Sequence, residues 1–297
     1  MDNNLELVID SRSLLGEGPW WDCDEKALYW IDGFGCKIHK YNPDTNEDIT
    51  FITDQFIGCV ISKKDTGLIS CMQHGVYFVD IEKGKMLPVS DIEADIDNNR
   101  LNDGKCDSSG RLWFGSMSMT ADQEDREFET TGSFYKLEKS LEVCKMFGDV
   151  GISNGIAWNA DETIMYYIDS MASCVVSYDF DVEKGAICNK KIVVKIPKKE
   201  GIPDGMTIDT EGMLWVAHYG GGQVSRWDPK RGKKIGKIDI PAPNVTSCVF
   251  GGENLDELYI TTARVDTSKK DLVKYPYSGG LFKIAPGIQG LPLYKFG

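Results

Sequence analysis

The sequence predicts an all-β chain folded as a six-bladed β-propeller with four-stranded blades. Three observations predict it. First, a short strand of aromatic and β-branched residues recurs six times: Leu28-Tyr-Trp-Ile-Asp32, Leu68-Ile-Ser-Cys71, Leu112-Trp-Phe-Gly115, Met165-Tyr-Tyr-Ile-Asp169, Leu214-Trp-Val-Ala217 and Leu258-Tyr-Ile-Thr261. Second, successive copies begin about 40 to 53 residues apart, the spacing of propeller blades. Third, no segment offers an amphipathic helix of about 12 residues. The run from Lys139 to Lys145 is too short, and Asp122 to Glu129 reads as a polar loop.

The surroundings of each copy repeat as well. An acidic or glycine turn comes before it, as in Asp22-Cys-Asp-Glu25, Asp107-Ser-Ser-Gly110, Asn159-Ala-Asp-Glu162, Asp209-Thr-Glu-Gly212 and Gly251-Gly-Glu-Asn254. A third strand comes after it, as in Lys37-Ile-His-Lys-Tyr41, Val175-Val-Ser-Tyr178 and Gln223-Val-Ser-Arg-Trp227. Polar and apolar residues alternate in these strands, which suits half-buried sheet. The unit is clearest from Gly201 to Ala217. There Pro203-Asp204-Gly205 reads as a tight turn, since proline presets φ and aspartate can bond its own backbone. Met206-Thr-Ile208 reads as a strand, paired with Leu214-Trp-Val-Ala217 as a hairpin. No linker divides the chain, so residues 1–297 are expected to form one domain. Leu5-Glu-Leu-Val-Ile9 is expected to close the ring as the outer strand beside Leu281-Phe-Lys-Ile284, removing a bare sheet edge.

Composition narrows the function. The 297 residues are 41% hydrophobic and 10% aromatic, enough for a large core, and carry a net charge of −13. That sign argues against nucleic acid and anionic membrane as partners and is compatible with a cation site. No run of 18 apolar residues appears, and the first residues lack the basic and apolar regions of a signal peptide. The nine cysteines are scattered and never spaced C-x-x-C, which fits buried thiols in a reducing cytosol better than disulfides or a zinc ribbon. A cytoplasmic location is therefore expected.

In a propeller, the entrances of the inner strands converge on the central channel. The polar residues there are Glu17, the run Arg100-Leu-Asn102-Asp-Gly104, Asn154 in Ser153-Asn-Gly155, Asp204, and Thr246-Ser-Cys248. Two carboxylates and an amide aimed at one small space suit a hard divalent cation such as calcium or magnesium, because two buried carboxylates repel without a cation between them. Taken singly, each has a plainer reading. Asp204 and Asn154 beside glycines suit turns, Glu17 suits a solvated loop, and Arg100 suits the surface. Other chemistry finds little support. Gly151-Ile-Ser-Asn-Gly155 matches a nucleophile elbow, but strand rather than helix follows it. His39, His74 and His218 are too dispersed for a three-histidine zinc site. His39 is expected to point outward, and His218 to serve packing.

The motifs Gly16-Glu-Gly-Pro-Trp20, Asn98-Asn-Arg-Leu-Asn-Asp-Gly-Lys105, Ile152-Ser-Asn-Gly155, Tyr166-Tyr-Ile-Asp-Ser170, Ile202-Pro-Asp-Gly-Met206 and Thr246-Ser-Cys-Val-Phe-Gly-Gly252 resemble the regucalcin (senescence marker protein), gluconolactonase and luciferin-regenerating enzyme family. The resemblance extends over essentially the whole chain. It implies one divalent cation, calcium first, with zinc, magnesium and manganese as alternatives, held by Glu17, Asn154 and Asp204. It implies that Arg100 and Asn102 contact substrate and that Asp204 doubles as general base. A sugar lactone is the implied substrate. One departure stands out: animal members carry a sugar-binding glutamate where this chain reads Ser116-Met-Ser-Met-Thr120, and the acidic loop of residues 121–131 that follows would form a lid. Two rival readings stay open, a non-catalytic calcium-binding or docking propeller, and a hydrolase of another ester, an organophosphate or a luciferin-type substrate.

Overall fold

The computed structural model describes residues 5–119 and 130–297. Six antiparallel sheets of four strands form the six blades. The innermost strands are Gly16–Asp22, Ile57–Ser62, Asn99–Cys106, Ser153–Trp158, Ile202–Ile208 and Asn244–Gly251. Each packs against the inner strand of the blades before and after it, so the ring is continuous. The six repeated strands recognised in the sequence are the second strand of each blade. One short α-helix, Lys269–Lys274, is present among the described residues.

Burial falls from axis to rim, and this ordering explains the residue types. Every residue of Ile57–Ser62 and Leu68–Met72 is buried, and both strands are apolar. The outermost strand Glu47–Ile52 is mostly exposed and carries Glu47, Asp48 and Thr50. Aromatic side chains fill the wedges between blades. Trp113, Phe134, Phe147, Tyr167 and Tyr178 join the third blade to the fourth, with the Phe134 and Tyr167 rings 4.7 Å apart. Such contacts add to the burial of large apolar area. The turns between first and second strands hold by aspartate. Asp107 and Asp209 accept backbone N–H groups of their own turns (Arg111 N at 3.0 Å and Met213 N at 2.9 Å). Their other oxygens accept the indole N–H of Trp113 and of Trp215.

The ring closes as expected. Glu6–Ile9 pairs with Leu281–Ile284, Leu7 opposite Phe282, in the blade that also contains Asn244–Gly251. Removing residues 1–9 is expected to bare the edge of Leu281–Ile284, lower the melting temperature and cause self-association. Unchanged melting with monomeric sedimentation would contradict this.

Two local expectations were not met. Pro203-Asp204-Gly205 is not a turn but lies inside the strand Ile202–Ile208, which begins earlier than Met206. Between Pro203 and Met206 the ladder slips by one residue against His218 and Val216. The same slip occurs in every inner strand: between Glu17 and Trp20, Ile57 and Cys59, Leu101 and Gly104, Asn154 and Ile156, and Val245 and Ser247. These are β-bulges, each adding one residue that re-aims its neighbours toward the axis. Gly205 is required by close approach, since a Cβ there would lie 2.0 Å from Ser247 Oγ on the next inner strand. His39, in turn, is buried. Its ring stacks on Trp30 at 3.9 Å and pairs with Asp48 at 2.8 Å, so the polar ring is inside because it has both a flat partner and an acceptor.

Candidate functional site

The bulges bring the five candidate residues together. Glu17, Arg100, Asn102, Asn154 and Asp204 line one cavity of about 110 Å³ at the N-terminal end of the inner strands. Their exposures are 9%, 5%, 8%, 4% and 7% respectively, which rules out solvated turns and surface charge for all five. Ser153 lies in a strand, with strand continuing through Trp158, so no nucleophile elbow forms.

Hydrogen bonds fix the amides. Asn102 Nδ2 donates to Ser153 O (2.8 Å) and Asn154 Oδ1 (3.1 Å), so its own Oδ1 turns to Arg100, which donates to it from Nη1 at 2.6 Å. Asn154 Nδ2 donates to Ser170 Oγ at 2.8 Å, which leaves Asn154 Oδ1 on the cavity side with Asn102. The Arg100 guanidinium lies over the Phe34 ring at 5.3 Å. Glu17 Oε2 accepts the Gly18 N–H at 2.8 Å.

Glu17 and Asp204 are hydrogen-bonded carboxyl to carboxyl. Burial raises both well above the usual carboxylate range. The charge of Asp103 raises Glu17 further, and the charges of Glu17 and Asp103 raise Asp204; Arg100 opposes the rise in each. Two acids that near one another hold a proton between them at neutral pH unless a cation takes its place. Among the described residues no three His, Cys, Asp or Glu side chains cluster as a metal site. Two carboxylates completed by the Asn154 amide oxygen are instead an all-oxygen set, which fits a hard divalent cation.

The loops entering the site are anchored by a signal that was visible in the sequence but not interpreted. The strands Leu28-Tyr-Trp-Ile-Asp32 and Met165-Tyr-Tyr-Ile-Asp169 both end in aspartate. Asp32 accepts Leu14 N and Leu15 N, both at 3.0 Å, just ahead of Glu17. Asp169 accepts Gly151 N and Ile152 N, both at 3.1 Å, just ahead of Asn154. Asp32→Ala would orphan three N–H groups, Gly35 N (2.9 Å) being the third, and is expected to cost roughly 1–3 kcal/mol in denaturant unfolding. It should also weaken cation binding by displacing Glu17. A variant with wild-type stability and affinity would show that the anchor is dispensable.

Several lining residues were not among the candidates the sequence offered. Phe34, Ile152, Ile202 and Val265 form apolar walls, and Tyr219 closes one side with its hydroxyl on Asp266 (2.8 Å). In the 116–119 stretch, where the related glutamate was missing, Met117 faces the cavity. The expected lid of residues 121–131 lies largely outside the described residues. His218 takes the packing role anticipated for it. It is buried, with Nδ1 on Glu200 O (2.9 Å) and Nε2 on Ser225 Oγ (2.5 Å), and burial lowers it to about 4.

Comparison with known proteins agrees with this architecture. The chain is 36% identical to regucalcin of Danio rerio over 293 residues, covering 98% of each chain. It is 36% identical to the putative sugar lactone lactonase YvrE of Bacillus subtilis (strain 168) over 276 residues, covering 93% of this chain and 92% of that one. Among solved structures, a luciferin-regenerating enzyme superposes with a TM-score of 0.91 at 31% identity, covering 99% of both chains. Residues 15–264 match the family described as the SMP-30/Gluconolactonase/LRE-like region, a span that contains all five cavity residues, and the chain belongs to that family.

Proposed function

We propose that this chain, as one propeller domain, is a metal-dependent lactonase that opens a sugar lactone. The observation that carries the reading is the buried pair Glu17 and Asp204, two acids facing each other at the floor of an open cavity with an amide beside them. A protein has no structural reason to keep such a repelling pair. Glu17, Asp204 and Asn154 would hold the cation, calcium in the first place, with magnesium, manganese or zinc as substitutes. Once bound, it supplies Lewis-acid polarisation of the lactone carbonyl.

The remaining chemistry belongs to side chains. Asp204 takes a proton from the attacking water. The water oxygen bonds to the carbonyl carbon, the ring C–O bond breaks, and a proton passes to the ring oxygen to leave a hydroxy acid. Arg100, held by Phe34 and Asn102, offers a charged donor to a substrate oxygen, and Asn102 orients it. No covalent intermediate is called for. The family and the named lactonase relative support the substrate class.

A second reading is favoured by the walls. Phe34, Met117, Ile152, Ile202 and Val265 are apolar, which suits the same hydrolysis on a lactone or ester with an apolar group in place of hydroxyls. A panel of sugar lactones, alkyl lactones and aryl esters, followed by acid release with several divalent metals, tests both. Hydrolysis of sugar lactones at the highest kcat/KM supports the first, and preference for alkyl or aryl substrates supports the second. No turnover of any of them would leave a binding propeller. The free cysteines accord with work in a reducing cytoplasm. No described helix is long and apolar enough to cross a membrane.

A further inference from the structure

The apolar wall of the acidic cavity includes one continuous flank built from three neighbouring blades. Met117, near the end of the strand Leu112–Ser118 in the third blade, bridges the backbone of Ile152 at the entry to the fourth. Ile152 O accepts Ser170 N at 3.0 Å, and Ser170 opens the single helical turn Ser170–Ala172. That turn lies against the strand Ile202–Ile208 of the fifth blade. Met117, Ile152, Ser170 and Ile202 all line the cavity. The one polar side chain among them is engaged, since Ser170 Oγ accepts from Asn154 Nδ2 at 2.8 Å.

The flank does not stop at the mouth. Met171, the residue after Ser170, is 43% exposed, and Ile202 is 41% exposed. Single apolar side chains on a surface are ordinary. These two differ because they stand on packed neighbours and carry a cavity wall outward. They are also held in place. Asp169 Oδ1 accepts both Ile152 N and Met171 N at 3.1 Å, so one carboxylate fixes wall and rim together. Covering a preformed apolar surface of this kind is favourable for any ligand that brings an apolar group to it.

We propose that this flank is an alkyl subsite. The site takes a lactone that carries an alkyl chain on the ring carbon beside the ring oxygen. The ring sits at Glu17, Asn154 and Asp204, and the chain runs outward over Ile152 and Ile202 to Met171. Water adds to the carbonyl carbon, the ring C–O bond breaks, and a proton passes to the ring oxygen, so a six-membered ring leaves as a 5-hydroxy acid. The subsite rests on the hydrolytic reading above and locates the apolar group of its second substrate class.

The test is kinetics of the metal-loaded protein on two lactones, δ-valerolactone without a side chain and δ-decalactone with a pentyl chain. Each buried methylene is worth about fourfold. The kcat/KM for δ-decalactone is therefore expected to exceed that for δ-valerolactone by about tenfold or more, mainly through KM. This preference should shrink about tenfold in Met171→Gln/Ile202→Gln, two exposed positions where substitution spares the fold. It should persist in Met171→Leu, which keeps an apolar side chain. Equilibrium titration with the ring-opened acids, 5-hydroxydecanoate against 5-hydroxypentanoate, reads the same preference without turnover. No preference for the longer chain in the wild type would overturn the proposal, as would a preference unchanged in the double variant. If neither lactone is hydrolysed, the hydrolytic reading fails and the acids alone decide the subsite. Tighter binding of 5-hydroxydecanoate that is lost in the double variant supports it, and equal binding of the two acids ends it.

Discussion

Asp204→Asn is expected to lower lactone hydrolysis by a factor of about 10² to 10⁴, the usual worth of a positioned general base. Loss of a cation ligand at the same position pushes the effect to the upper part of that range. The variant should fold normally. In the metal-free protein Asp204 is held protonated by burial and by the Glu17 and Asp103 charges. Asparagine has the same shape and can give Glu17 the same hydrogen bond, so it imitates that protonated state. Melting in the presence of chelator should thus match the wild type, while added cation should stabilise only the wild type. Steady-state kinetics beside thermal melts measure both parts. A variant that hydrolyses lactones at the wild-type rate would end the assignment of Asp204 as base.

The second large effect is the response to metal and to pH together. A cation at a hundredfold excess over its Kd stabilises by about 2.7 kcal/mol, or about 4 °C for a chain of this size. The sign with pH follows from the raised carboxyls. A carboxyl whose folded pKa lies above its unfolded value binds more protons when folded. Metal-free stability therefore falls as pH rises from the ordinary carboxylate range through the raised values. Cation binding needs both groups ionised, so the metal-induced gain should grow over the same rise, with proton release on binding. His218 acts oppositely on the acid side. Its folded value near 4 lies below the usual one, so stability drops as pH falls from about 6.5 to 4, with or without metal. Subtracting chelator melts from metal melts at each pH cancels His218 and leaves the pair. A metal gain that is flat with pH, or that persists in Glu17→Ala, would show that the cation sits elsewhere.

The ring and the site residues were legible in the sequence for one reason: they repeat. Six copies of a second strand announced six blades, and the polar residues ahead of five of them announced convergence on an axis. Closure by residues 6–9 was legible because an unpaired N-terminal strand and a strand-poor last repeat each needed the other. The bulges were not. Pro203-Asp204-Gly205 carries the residues of a tight turn, and a turn and a bulge draw on the same composition. What separates them is the neighbouring blade, here Ser247 pressed against Gly205, and that contact joins residues 42 positions apart in the chain. Phe34 under Arg100 and the apolar flank from Met117 to Ile202 were hidden likewise, since each joins segments of different blades.

The uniform bulge constrains how such a propeller changes over time. Each spoke offers one position whose side chain stands outside the ladder, so it can be exchanged without re-registering the strands behind it. On the second and fourth spokes that position is Gly58 and Gly155, where a Cβ would lie 2.4 Å from the Asn102 carbonyl oxygen and 2.7 Å from Met206 Cβ respectively. Those two slots are therefore frozen bare, and novelty in the ligand set must come from the other four, one codon at a time.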